Sequence, residues 1–225
     1  MKIFAILPAY NEARVITQVV SDVKDRVSSV VVVDDGSTDN TGFLAQQAGA
    51  LVVTHLVNRG QGAALQTGIL FALKAGADIV VTFDADGQLL ASDIEVAIQP
   101  LILGEVQVVL GSRFLNRKAA SQIPALKRLI LKLAVAITRL YTGLAVTDTH
   151  NGLRAFSRSA AEMIVIGQDG MAHASEIIEQ IKKLKLKFKE VPVIVRYTDY
   201  SLQKGQKLSG AWQIIWDLFF SRIVK

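Results

Sequence analysis

The chain of 225 residues contains no cysteine, which excludes a disulfide framework and any thiolate-held metal. Histidine is almost as scarce, at three residues. His150 and His173 are not a helical pair and have no nitrogen or sulfur ligand nearby in sequence, so a zinc site is not expected. No uninterrupted apolar stretch approaches the roughly 20 residues of a spanning helix. The short apolar run after Met1-Lys2 stops at Pro8, too soon for a signal peptide. These absences predict a cytoplasmic chain that is not integral to a membrane. Internal repeats, low-complexity tracts and linkers are also missing, and 51% hydrophobic content supplies a core for one domain.

Acidic residues are absent from Arg113 to Thr147, where seven Lys or Arg accumulate within a net charge of +5. Such a patch attracts phosphates, whether of nucleic acid, anionic lipid or a charged small molecule. No helix-turn-helix, RNP-type or zinc-finger pattern accompanies it, so nucleic acid is excluded as the expected partner. A second cluster, Lys182, Lys183, Lys185, Lys187 and Lys189, reads as a solvated face.

What is present is a regular alternation. Apolar strands at 2–7, 30–33, 51–54, 80–83 and 106–110 alternate with helical patterns at 15–27, to about 48, 62–75 and beyond the fourth strand. This predicts a doubly wound, mostly parallel α/β sheet flanked by helices. The polar loops 8–12, 34–38 and 84–88 all follow strands, so one crevice at the carboxyl edge could collect them. The stretch Val80-Val81-Thr82-Phe83-Asp84-Ala85-Asp86-Gly87-Gln88 is the most informative. Two carboxylates one residue apart at a strand tip repel each other, and a divalent cation relieves that repulsion. Oxygen ligands suit magnesium or manganese, although a polar turn would also account for an isolated Asp-x-Asp. Farther on, helices are expected at 123–142, 158–165, 173–184 and 208–224, with a short strand at 153–156 and an edge or irregular strand at 188–197 interrupted by Pro192. Gly60-Gln61-Gly62 reads as a tight turn into a helix and not as a phosphate cradle.

Pro8-Ala9-Tyr10-Asn11-Glu12, Val33-Asp34-Asp35-Gly36-Ser37, Asp84-Ala85-Asp86-Gly87-Gln88 and Gly111-Ser112-Arg113, in this order, resemble the family 2 glycosyltransferases of the GT-A fold. Within them the chain is similar to the dolichyl- or polyprenyl-phosphate sugar transferase branch. The resemblance continues through Asp148-Thr149-His150-Asn151-Gly152-Leu153-Arg154-Ala155, His173-Ala174-Ser175-Glu176 and Lys204-Gly205-Gln206, and so covers nearly the whole chain. It departs at Leu89-Leu90-Ala91, where relatives often carry His-x-Pro, and at Gln61, where Lys is frequent.

The resemblance implies one GT-A domain, with residues 1–115 binding a nucleotide-sugar and 116–225 forming an acceptor side. Pro8, Tyr10 and Glu12 would line the nucleotide pocket, and Asp35 would read the base. Asp84 and Ala85 would lie near the ribose, and Asp84, Asp86 and Gln88 would hold Mg2+ or Mn2+. Arg113, Arg196 and Lys204 would meet phosphates, with Lys207 as a competitor for the last role. His150 and His173 would be polar loop residues shaping the acceptor side. The implied reaction is inverting transfer from a UDP- or GDP-type sugar to a polyprenyl phosphate. An anionic lipid phosphate needs little base, whereas a soluble or cell-envelope hydroxyl acceptor would call on Asp148 or Glu176, of which Asp148 could instead be a helix or turn cap and Glu176 a charge in the first turn of its helix. The basic apolar segment 123–142 could lie on an anionic membrane or pack inside the domain. The aromatic end, with Trp212, Trp216, Phe219 and Phe220, suits core packing, a homo-oligomer or a membrane-protein partner. A different class, a non-catalytic nucleotide-sugar-binding partner of a membrane protein, is also compatible with these features.

Overall fold

The computed structural model describes residues 1–116, 120, 121, 123 and 125–196. Lys204, Lys207 and the aromatic segment 208–224 therefore lie outside the described residues. Among the described residues seven strands form one sheet: β1 (Ile3–Ala9), β2 (Ser29–Asp34), β3 (Leu51–Thr54), β4 (Ile79–Thr82), β5 (Val108–Ser112), β6 (Arg154–Ser157) and β7 (Phe188–Pro192). The helices are α1 (Ile16–Lys24), α2 (Thr41–Gln47), α3 (Gln61–Lys74), α4 (Asp93–Ile102), α5 (Ala125–Thr142), α6 (Arg158–Met163) and α7 (His173–Lys183).

The strand order is β3-β2-β1-β4-β6-β5-β7. Only β6 runs against its neighbours β4 and β5, and every other pair is parallel. The chain steps outward from β1 through β2 to β3, then crosses back to place β4 on the other side of β1. That reversal opens a crevice at the carboxyl ends of β1 and β4.

Alternation along the strands supplies two cores. Ala5, Leu7 and Ala9 of β1, with Val30 and Val32 of β2, join α1 and α4 on one face. Phe4, Ile6, Val31 and Val33 face α3, α6 and α7 on the other. Burial on both sides explains why these strands read as continuous apolar runs. In α1 the buried Ile16, Val19, Val20 and Val23 recur at three- and four-residue intervals, which turns one stripe toward the sheet.

Several boundaries differ from the sequence expectation. Helix α5 begins at Ala125 and not at 123, and β5 begins at Val108 and not at 106. The strand expected over 188–197 stops at Pro192, because proline brings no N–H to the ladder. Val195 returns only as an isolated bridge to Leu89. His173 is the buried first residue of α7 and not a loop residue. Periodicity places an element better than its ends, which depend on local hydrogen bonds.

Gly68 lets α3 approach the sheet. A Cβ there would overlap Ile6 Cγ2, the side chain at the centre of β1. Replacing Gly68 by Val is expected to destabilise the fold by about 1–3 kcal/mol through overpacking, read as a lower denaturant midpoint at unchanged slope.

Candidate active site

The first two motif loops are stitched together by their own polar residues. Asn11 adopts a left-handed backbone (φ 53), a conformation that asparagine tolerates. Its N–H donates to Ser37 Oγ at 2.9 Å, and its side-chain oxygen accepts the Thr38 N–H at 2.8 Å. The Glu12 N–H donates to Thr41 Oγ1 at 2.8 Å, and the Asp35 N–H donates to the Ala9 carbonyl at 2.8 Å. The loop after β1 and the loop after β2 therefore move as one piece.

A cleft of about 660 Å³ opens where they meet the loop after β4. Pro8, Tyr10, Glu12, Asp35, Asp84, Ala85 and Asp86 line it, joined by Asn58, Gly60, Gln61 and Met171. Seven of the residues singled out in the sequence thus share one wall. The Asp35 carboxylate takes His55 Nδ1–H at 2.7 Å and the N–H groups of Arg59 and Gly60 at 3.0 and 2.7 Å. The Gly60-Gln61-Gly62 turn is not an anion cradle, because the Gly62 N–H donates to the Asp169 carbonyl at 2.8 Å.

Asp84 forms the floor. Gln61 Nε2 donates to its Oδ1 at 2.9 Å, and Gly152 lies so close that a Cβ there would overlap the carboxylate. Burial pushes the Asp84 carboxyl above its ordinary range, while Arg154, Arg113 and Gln61 pull it back and Glu12 adds to the rise. Arg154 is buried in β6, and its Nη2 donates to the Thr149 carbonyl at 3.3 Å. Burial lowers its pKa, opposed by Asp84 and Asp148, and a guanidinium stays charged under such opposition.

Behind this floor Arg113 Nε donates to Asp148 Oδ2 at 2.6 Å, the Arg113 backbone N–H reaches the same oxygen at 3.1 Å, and Nη2 donates to the His150 carbonyl at 2.6 Å. Glu190 of β7 holds the loop from outside, accepting from Thr147 N at 2.7 Å, Thr147 Oγ1 at 2.9 Å and Asp148 N at 3.2 Å. Arg113 and Asp148 therefore form a buried ion pair beneath the cleft instead of lining it. Glu176 also lies elsewhere: its carboxylate accepts the N–H groups of Gly167 and Gln168. Arg196 sits on a separate hollow of about 510 Å³ behind the acidic loop, with its N–H donating to the Gln88 carbonyl at 2.8 Å.

For a cation, the cleft offers Asp84 and Asp86 from one turn. Asp86 Oδ1 accepts the Gln88 N–H at 3.0 Å, which fixes the carboxylate at the mouth of that turn. Among the described residues no group of three acidic, His or Cys side chains gathers to enclose a metal. The donor set fits a hard cation that takes one or two carboxylates from protein and completes its shell with ligand oxygens and water, as magnesium does.

His55, Gln61, Arg154 and Glu190 were missed as site residues in the sequence. Arg154 stood inside a quoted motif, and Gln61 was read as a turn residue and as a departure from the family pattern. Nothing local marks His55 or Glu190, which reach the site through the sheet.

A crevice at the switch point of a mostly parallel sheet, walled by strand-end carboxylates and a Tyr, is the architecture of a nucleotide-binding α/β enzyme. Comparison with known proteins makes this specific. Residues 4–165 match the family described as Glycosyl transferase family 2. The chain is 38% identical to an uncharacterised protein of Methanocaldococcus jannaschii, over 99% of this chain and 93% of that one. It is 35% identical to UDP-N-acetylglucosamine–dolichyl-phosphate N-acetylglucosaminyltransferase of Methanococcus voltae, over 99% and 97%. Among solved structures, glucosyl-3-phosphoglycerate synthase from Mycobacterium tuberculosis in complex with UDP superimposes with a TM-score of 0.75 at 24% identity, covering 96% of this chain and 78% of that one. The chain belongs to glycosyl transferase family 2. It is a glycosyltransferase with a GT-A-like fold.

Two predictions come from this geometry. Removing the Asp148 carboxylate with Asp148→Ala leaves Arg113 buried and unpaired, and is expected to cost about 3–5 kcal/mol of unfolding free energy in denaturant titration. Desolvation lowers His150 to about 4, with Arg154 and Arg113 adding to the shift and Asp148 opposing it. His173 is lowered to about 3 by desolvation and Arg154. Both rings fold neutral, whereas the unfolded chain protonates them near pH 6.5. Their contribution is therefore intact above about pH 6.5 and lost as pH falls toward 4. NMR titration is expected to find both rings neutral at pH 5.5, with the unfolding midpoint declining below pH 6.5.

Proposed function

We propose that the chain transfers a sugar from a nucleoside-diphosphate sugar to a polyprenyl-type phosphate at an anionic membrane surface. The observation that carries the acceptor class is the outer face of α5. Leu131, Ala134 and Val135 turn inward, while Leu126, Leu129, Leu133 and Leu140 are 61, 66, 52 and 83% exposed. Lys132 and Arg139 flank that apolar row. A helix with leucines outward and cations beside them suits the boundary between acyl chains and anionic headgroups. A groove of about 670 Å³ lined by Phe114, Lys132, Val135, Ala136, Arg139 and Leu140 runs along it. Phe114 adjoins Arg113, so the groove leads from the α5 face toward the ion pair under the cleft. No helix among the described residues is long and apolar enough to cross a membrane.

The names of relatives agree with this acceptor class. They include the dolichyl-phosphate enzyme of Methanococcus voltae and, at 27% identity, polyprenol monophosphomannose synthase of Mycolicibacterium smegmatis. The engagement of the two carboxylates considered as bases adds support. Asp148 is committed to Arg113 and Glu176 to two backbone amides. A hydroxyl acceptor would need one of them to take a proton, whereas a lipid phosphate arrives already anionic.

Pro8, Tyr10, Glu12 and Asp35 hold the nucleoside side of the donor in this reading. Asp86, with Asp84 behind it and the Gln88 amide beside it, would hold Mg2+ or Mn2+, whose charge would offset that of the departing diphosphate. Arg113 and Arg154 contribute fixed positive charge beneath the floor, oriented before substrate arrives. The acceptor oxygen attacks the anomeric carbon opposite the diphosphate, which inverts that carbon. Lys204, beyond the described residues, remains a candidate for the phosphates.

The test is transfer from a panel of nucleotide-sugars to a short polyprenyl phosphate, with manganese or with a chelator. Transfer is expected to need the metal and to fall about 100-fold or more in Asp86→Asn. Undiminished turnover in chelator removes the cation from the mechanism. Preference for a hydroxyl acceptor overturns the lipid-phosphate reading.

A further inference from the structure

Asp35 on the cleft wall already uses most of its accepting capacity. Its Oδ1 accepts His55 Nδ1–H at 2.7 Å and the Arg59 N–H at 3.0 Å, and its Oδ2 accepts the Gly60 N–H at 2.7 Å. An ionised carboxylate offers about four lone-pair sites, two on each oxygen, and donates nothing. By that count Oδ1 is full and one position is left, on Oδ2. His55 is locked in the role. Since an ionised Asp35 can only accept, Nδ1 carries the hydrogen toward it, and Nε2 is held by a hydrogen bond with the Thr67 hydroxyl at 2.9 Å. The ring is 9% exposed, so water does not compete for either nitrogen.

We infer that this cleft selects a uracil base over guanine, and that His55 is the positioning residue that enforces the selection by occupying Asp35 Oδ1. The inference rests on the reading of Asp35 as the base contact. Uracil presents one imide N–H between two carbonyls, which needs a single acceptor. Guanine presents adjacent N1–H and N2–H donors that match both oxygens of a carboxylate as a fork. With Oδ1 closed, guanine leaves one donor unpaired as it enters, and sites reject such ligands strongly because the desolvated donor recovers nothing. Asn58, on the same wall, carries an amide chemically suited to a uracil carbonyl. Cytosine would turn an acceptor nitrogen toward the last acceptor position.

Isothermal titration of the full chain with UDP and with GDP, each with manganese, tests this. UDP is expected to bind roughly tenfold tighter or more. In His55→Leu, which reopens Oδ1, the UDP-to-GDP affinity ratio is expected to shrink severalfold. His55→Asn keeps an N–H donor at that place and is expected to restore the ratio. If His55 merely supports the fold, both nucleotides weaken in parallel and the ratio stays put, which overturns its role. Should both variants fail to fold by circular dichroism, the ratio in the unsubstituted chain decides. Equal or tighter GDP binding there overturns the inference while leaving sugar transfer to a lipid phosphate intact. Failure to bind either nucleotide, with no transfer from any donor, sinks the transferase reading and this inference with it.

Discussion

The structure depends on alternating charge beneath the cleft. Asp84, Arg154, Asp148 and Arg113 come from the loop after β4, from β6, from the loop before it and from the end of β5. No one of them could be buried alone, since an isolated ion loses far more hydration than the interior returns. Together they compensate one another, and backbone groups take part of what is left: Arg113 and Arg154 donate to the carbonyls of His150 and Thr149, while Asp148 also accepts the His150 amide. Gly152 is what allows the packing, because any side chain there would occupy the space of the Asp84 carboxylate. The antiparallel insertion of β6 is thus part of the chemistry as well as of the topology: it brings a cation beside the acidic turn of β4.

The same cluster divides labour among acids that look alike in sequence. Asp35 and Asp86 meet the cleft at its wall and rim, Asp84 at its floor, and Asp148 lies behind. Their surroundings and not their residue type separate the roles. Two neutral imidazoles, His150 and His173, fill the remaining space near Arg154. A protonated ring there would face a guanidinium, so the arrangement favours uncharged donors and acceptors on that side.

Much of the fold was legible because the sheet is buried on both faces. Val30-Val31-Val32-Val33 has almost no reading other than a central strand, and Pro8, Asp34 and Asp84 mark the strand ends where ligands collect. The cleft lining followed from those ends. What was not legible came from contacts across the sheet. Arg113 looked like a phosphate ligand, but its partner Asp148 is 35 residues away, and only the pairing of β5 with β6 shows that the two meet. Glu176 does stand in the first turn of α7, as its position in the sequence suggested, but that its carboxylate takes the amides of Gly167 and Gln168 was not legible there. His55 is one residue beyond β3 and announces itself by no spacing at all. The helical pattern of 123–142 was clear, but which face would be covered depended on α7 packing against it.

The borders of the sheet have a bearing on self-association. At one end β3 is only four residues long. At the other, β7 carries Lys189, with Lys187 just before it, and terminates in Pro192, which offers no amide hydrogen to an incoming strand. Short length on one flank, and cations plus an imino acid on the other, discourage edge-to-edge polymerisation of the kind that seeds fibrils. Among the described residues β7 is the border strand, and its gatekeeper is the proline together with Lys187 and with Lys189, which is itself paired with Glu105; any stacking of copies into a continuous sheet there must overcome them.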